Sequence, residues 1–106
     1  MVYSVAADVK TVLQIATGVS TYDTEITACI VSADALIDKF LAKADLSVPS
    51  PVPQTIEDAS IHFAAWLFRH RRDPANADVF WGEAMKFLDA YIETEAEVAF
   101  SVVTDG

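Results

Sequence analysis

Prolines stand at alternate positions 49, 51 and 53, within Asp45-Leu46-Ser47-Val48-Pro49-Ser50-Pro51-Val52-Pro53. Each lacks a backbone N–H and holds φ at about −65°, so no helix interior can run through them. Each also pushes the residue before it toward extended backbone. The segment predicts a stiff, polyproline-like connector, too short to separate independent domains. Whatever forms on either side must pack into one unit.

Both sides read as helix. Ser4 is a suitable N-cap for a first helix over about Val5–Ile15, where Val5, Val9, Val12 and Leu13 recur at helical spacing and Gly18 follows as a terminator. A second helix is expected over about Thr21–Ala44. Ser20 and Asp23 have capping-box spacing, and Ile26, Cys29, Ile30, Ala33, Ile37, Phe40 and Leu41 form one apolar stripe. Asp34 and Asp38 lie off that stripe as a like-charge i,i+4 pair, mildly unfavourable unless Lys39 or a partner offsets it. Ala28, Ala33 and Ala35 are small enough to admit a neighbouring helix.

A third helix is expected from Pro53 or Gln54 to Arg72. Thr55 and Asp58 are spaced as a capping box, Ile56, Ala59, Phe63, Trp66 and Leu67 form a broad apolar face, and Asp73-Pro74 makes a stop. The fourth, over about Asn76–Glu95, carries Val79, Phe80, Ala84, Phe87, Leu88, Tyr91 and Ile92 inward, with Trp81 at the edge. After Glu97 the pattern becomes β-branched and aromatic (Val98, Phe100, Val102, Val103), which predicts an extended C-terminal arm over 98–106 beside a helical domain over 1–97. The fold class is therefore all-α: one short and three longer helices with an extended arm.

The chain of 106 residues suits a single domain, and its 53% apolar content and mean hydropathy of +0.30 are high for one so small. The excess implies a dense core or apolar surface reserved for partners. Net charge is −9. Residues 1–72 hold eight acids and six bases, whereas 73–106 hold eight acids and one base, Lys86. Such a field repels nucleic-acid phosphate and argues against tight nonspecific DNA binding. It also keeps an apolar protein soluble.

One cysteine, Cys29, excludes an internal disulfide, and it reads as a small core residue. No run approaches the ~20 apolar residues of a membrane span. The first residues lack the pattern of a signal peptide, so a protein made and kept in a reducing cytoplasm, or in a particle assembled there, is expected.

Reaction chemistry has little support. His62 and His70 are two turns apart on one helix, too far to share a metal directly, and no triad context or phosphate-binding glycine loop is present. No catalytic residue, metal or cofactor is expected, and the chain is expected not to be an enzyme. Two features suit protein contacts. Arg69-His70-Arg71-Arg72 complements a helix C-terminus, or pairs with the acidic fourth helix of an adjacent copy (Glu83, Asp89, Glu93) in a head-to-tail ring. Of the aromatics, Phe68 and Trp81 are candidate interface anchors, and Val98, Phe100 and Val102 candidate arm contacts.

Taken together, the short helix around Ser4-Val5-Ala6-Ala7-Asp8-Val9-Lys10, the Asp23-Thr24-Glu25-Ile26 start, the Ala33-Asp34-Ala35-Leu36-Ile37-Asp38 helix and the Pro-led helix from Ile56-Glu57-Asp58-Ala59 to Ala65-Trp66-Leu67-Phe68-Arg69 resemble the small head–tail connector (adaptor, head-completion) proteins of tailed bacteriophages. The resemblance covers residues 4–95. It implies a virion protein at the neck between capsid and tail: a ring of about twelve copies, by fold-level analogy, contacting the portal protein on one side and a tail or tail-completion protein on the other. Genomic DNA would pass through without specific binding, and an acidic lumen would keep it from sticking. Arg69, Arg71 and Arg72 would then serve subunit or portal contacts. Some relatives reach toward the portal with longer loops, which the short proline-rich connector replaces here. The main alternative is a dimeric helical protein-binding or regulatory module. A DNA-binding regulator using the third helix ranks lower, because the domain is acidic.

Overall fold

The computed structural model describes residues 2–16 and 18–105, with side chains of the last helix described as far as residue 96. Four α-helices follow in chain order: α1 Ala6–Leu13, α2 Asp23–Lys43, α3 Gln54–His70 and α4 Asp78–Asp105, with a 3-10 turn Pro74–Asn76 leading into α4. The fold is an all-α bundle with one short helix, as the periodicity predicts. Residues 47–53 are non-helical, and Val48 and Val52 pack against the core.

The middle of the bundle is α3, which packs against α1, α2 and α4. Ile56, Ala59, Ser60, Ile61, Phe63, Ala64, Ala65 and Phe68 are all buried. These occupy more than one face, as expected of a helix covered on several sides. Its alanines and Ser60 give neighbouring helices room for close approach. The expected inward face is thereby revised: Phe68 belongs to the core, while Trp66 and Leu67 are only half-buried.

Facing α3, α2 presents Ile26, Cys29, Ile30, Ala33, Ile37 and Leu41, all buried at i,i+3 and i,i+4 spacing. Val9 and Leu13 come from α1, and Ala84, Leu88 and Tyr91 from α4. Each large side chain removed from water contributes about 1.5–3 kcal/mol. Two expected members of the stripes lie outside: Val5 is 55% exposed and Val79 64%. Both sit at a helix start, where the neighbours that would cover them have not begun.

The helix ends differ from the sequence expectation. Ser4, Ser20 and Thr55 make no side-chain cap; the residues preceding α1, α2 and α3 are Val5, Tyr22 and Pro53. Ser4 is drawn into the core instead. The first helix stops before Gly18, at Gln14, whose φ is 62°. The Gln14 N–H donates to the Thr11 carbonyl at 3.1 Å and the Ile15 N–H to that of Lys10 at 2.8 Å, the paired bonds of a Schellman ending. Asp45 (φ 57°) and Leu46 repeat this at the end of α2, donating to Ala42 and Leu41. In both places the following apolar residue, Ile15 or Leu46, packs on the core and secures the left-handed residue before it.

The C-terminal segment corrects a further expectation. Residues 98–103 are not an extended arm, because α4 continues to Asp105. Glu93, Glu95, Ala96, Glu97 and Ala99 are good helix formers, no proline or glycine interrupts them, and adding a residue to an existing helix is easy compared with starting one. The contacts expected of Val98, Phe100 and Val102 lie outside the described side chains.

Candidate interaction site

Three constellations of side chains stand out. The first is a buried polar clamp joining α2, α3 and the N-terminal segment. Asp34 is only 6% exposed. Its Oδ1 accepts from the Ser60 hydroxyl at 2.7 Å, and its Oδ2 accepts from the backbone N–H of Tyr3 at 2.9 Å. Ser4 Oγ and Ser60 Oγ are 2.6 Å apart. A hydroxyl has a single proton to give, and Ser60 gives it to Asp34, so Ser4 must be the donor to Ser60. Burial pushes the Asp34 carboxyl up from its ordinary value, against the pull of its two donors, with Asp38 adding repulsion. The Tyr3 hydroxyl donates to Asp38 at 2.5 Å. Its own acidity is suppressed, the pKa pushed up to about 12 by burial first and then by Asp38. The Asp34–Asp38 pair that looked unfavourable is thus held from one side by Tyr3.

The second constellation closes the end of the bundle where α2 starts and α3 stops. Arg72 grips Glu25 with both guanidinium nitrogens, at 2.5 and 3.0 Å. The guanidinium also lies over the Phe68 ring, 3.9 Å from its centroid, with Tyr22 at 5.2 Å. The bond to Arg72 holds the Glu25 carboxyl below its usual range. Nearby, Lys10 is buried and meets Asp23 at 2.9 Å. Of the basic cluster, Arg72 is therefore engaged within its own chain, Arg71 is exposed, and Arg69 borders a polar cleft of about 400 Å³ with Asp73, Asn76 and Phe80. Phe68 lies beneath Arg72 in the core rather than at the surface.

The third is aromatic. Trp81 contacts Phe63 edge-on at 5.1 Å and Trp66 at 4.8 Å between centroids. Trp66 in turn stacks on His70 at 4.9 Å. Beside this cluster an open groove of about 480 Å³ runs between Ser32, Ala35, Leu36 and Lys39 of α2, Trp66 and Leu67 of α3, and Trp81 of α4. Its walls are almost entirely carbon. Trp81, an anchor candidate from sequence, is half-buried at its edge. Asp89 and Glu93 are exposed on α4, and Glu83 reaches Lys86 at 3.9 Å.

The remaining candidates are structural in placement. Nδ1 of His62 donates to the Asp58 carbonyl at 2.8 Å while its ring meets Phe87 at 5.4 Å across the α3–α4 seam. Cys29 is buried, which raises its thiol pKa. Among the described residues no group of His, Cys, Asp and Glu could hold a metal ion, and no described helix is long and apolar enough to cross a membrane.

Sequence reasoning missed Asp34, Ser60, Tyr3 and Glu25, all of which bond to residues more than 25 positions away. A signal existed for Asp34, which adjoins the stripe residues Ala33 and Ile37. It also missed that Ala35 and Leu36 border a groove.

A buried clamp, a stacked end and an open apolar groove define a small all-helical bundle. Its family is identifiable. The chain belongs to the bacteriophage Mu Gp36 family, whose model matches residues 4–103. It is thus a phage protein. No curated protein and no solved structure matches it.

Proposed function

We propose that this protein is a neck subunit: a structural virion protein that assembles as a ring between portal and tail, through which the genome passes. Membership of a phage family along nearly the whole chain is the observation that carries the reading. The described surface supports it. The tryptophan-bordered groove and the exposed Val31 and Val79 leave apolar area for other subunits, and the acidity concentrated in α4 suits a wall that DNA slides past. A ring of about twelve copies, by analogy, would meet the portal protein on one face and a tail-completion protein on the other.

The test is native mass by light scattering across a wide concentration range, alone and with the portal of the same phage. A ring-sized species, or stoichiometric capture by the portal, supports the proposal. A dimer at every concentration with no portal binding favours a dimeric regulatory module instead.

A further inference from the structure

We propose that the groove between α2, α3 and the start of α4 is the seat for the C-terminal end of α4, residues 98–105, of a second copy of this chain. The inference deepens the neck reading and rests on it for the number of copies.

The contacts Trp66–Trp81 and His62–Phe87 set α3 and α4 antiparallel. Continuing that register puts Gln54, the first residue of α3, level with about Glu95. Helix α4 has 28 residues and α3 has 17. At 1.5 Å per residue, α4 is longer by roughly 16 Å. The turns beyond Glu97 therefore outrun α3, and they contain Val98, Phe100, Val102 and Val103. Nor can they reach their own groove. Phe100 follows Trp81 by 19 positions along one helix, a separation of about 28 Å. An α4 end that enters the groove must therefore be another molecule's.

The groove matches this end in three respects. It is apolar, as are five of the six residues at 98–103. Lys39 stands on its wall and Lys43 one turn further along α2; among the described residues neither makes an ion pair. The arriving segment carries Asp105, Glu97 immediately precedes it, and a helix C-terminus adds partial negative charge. Finally, the buried indole N–H of Trp66 has no acceptor among the described residues. The last turn of any helix brings carbonyls without intrahelical partners. With Arg72 already committed to Glu25, the lysines of the groove are better placed than Arg72 to receive an acidic helix.

The contact is head-to-tail, so each copy both gives an end and takes one, and the series closes as a ring or grows as a filament. The chain has two tryptophans, Trp66 and Trp81, and both border the groove. Their emission reports its occupancy. In the full-length protein, mass and a blue shift of tryptophan emission are expected to rise together with concentration. Ala35→Glu, at an exposed groove position, spoils the seat, and Phe100→Asp spoils the arriving end; each variant alone is expected to stay monomeric. Mixed in equal amounts, one intact seat meets one intact end, and growth is expected to stop at two chains.

The proposal is overturned if both variants assemble like the parent, or if mass rises with no change in emission; self-assembly then uses another face and the neck reading stands. A monomer at every concentration up to the solubility limit also overturns it, leaving assembly to the portal. Seat-and-end pairing that yields neither a ring nor portal binding would uphold it and defeat the neck reading.

Discussion

The hydroxyl of Ser60 on α3 donates to the carboxylate of Asp34 on α2 at 2.7 Å, inside the bundle. This bond fixes the direction of the whole clamp, from Ser4 through Ser60 to Asp34, with the Tyr3 N–H arriving on the other carboxylate oxygen. Asp34→Asn can keep the clamp: its carbonyl oxygen takes the Tyr3 N–H and its amide donates to Ser60, whose proton stays on the Asp34 side no longer. Asp34→Ala leaves the Tyr3 N–H and the Ser60 hydroxyl without their acceptor. We expect a loss of about 1–3 kcal/mol for alanine and clearly less for asparagine, read from denaturant midpoints.

The same clamp sets a pH dependence. Burial raises the Asp34 pKa in the folded state, so the fold favours the protonated form. Its contribution is complete below the unfolded pKa and is lost as pH rises through the folded one. Glu25 has the opposite sign: Arg72 lowers its pKa, so its contribution holds above the unfolded value and is lost as pH falls through the folded one. Acidification from neutrality is expected to raise the melting temperature first, through Asp34, before stronger acid removes the Glu25 contribution. In Asp34→Asn the initial rise should vanish; its persistence would show that another group causes it.

Arg72 combines a two-toothed bond to Glu25 with a stack on Phe68. Both are partly exposed, which keeps each modest. Arg72→Ala should cost about 1 kcal/mol in thermal or chemical unfolding. Lysine retains the charge but neither the fork nor the flat face, so Arg72→Lys should recover less than half of that loss.

The protein is expected not to retard duplex DNA in gel electrophoresis at physiological salt, because its −9 charge opposes phosphate and Arg72 is occupied. Salt-dependent retardation would instead favour a DNA-binding regulator.

Much of the helical layout was legible because one periodicity repeats. The stripe from Ile26 to Leu41 names nearly all of the buried α2 face, and Asp73-Pro74 marks the turn into α4. The clamp was not legible. A carboxylate near an apolar stripe reads as solvated until the residues that satisfy it arrive from 26 and 31 positions away. Serines were misread for the same reason: Ser4 has the local pattern of a cap, but Ser60 offers it a partner that local pattern cannot see. Residues 98–103 were read by their strand propensity, when the helix preceding them decided the matter. The groove escaped notice because its floor, Trp66 and Leu67, has the same spacing as core.

Every other helix leans on α3. Its small residues, Ala59, Ser60, Ala64 and Ala65, are fully buried beneath those neighbours. The molecule thus has a spine and no second centre. Peeling α4 away would bare one flank of that spine and losing α1 another, but releasing α3 would undo the largest share of the packing and leave α1 and α2 with only their smaller mutual contact. Its amides should be the last to exchange with solvent, and the stability of this small protein is in effect the stability of one helix in its place.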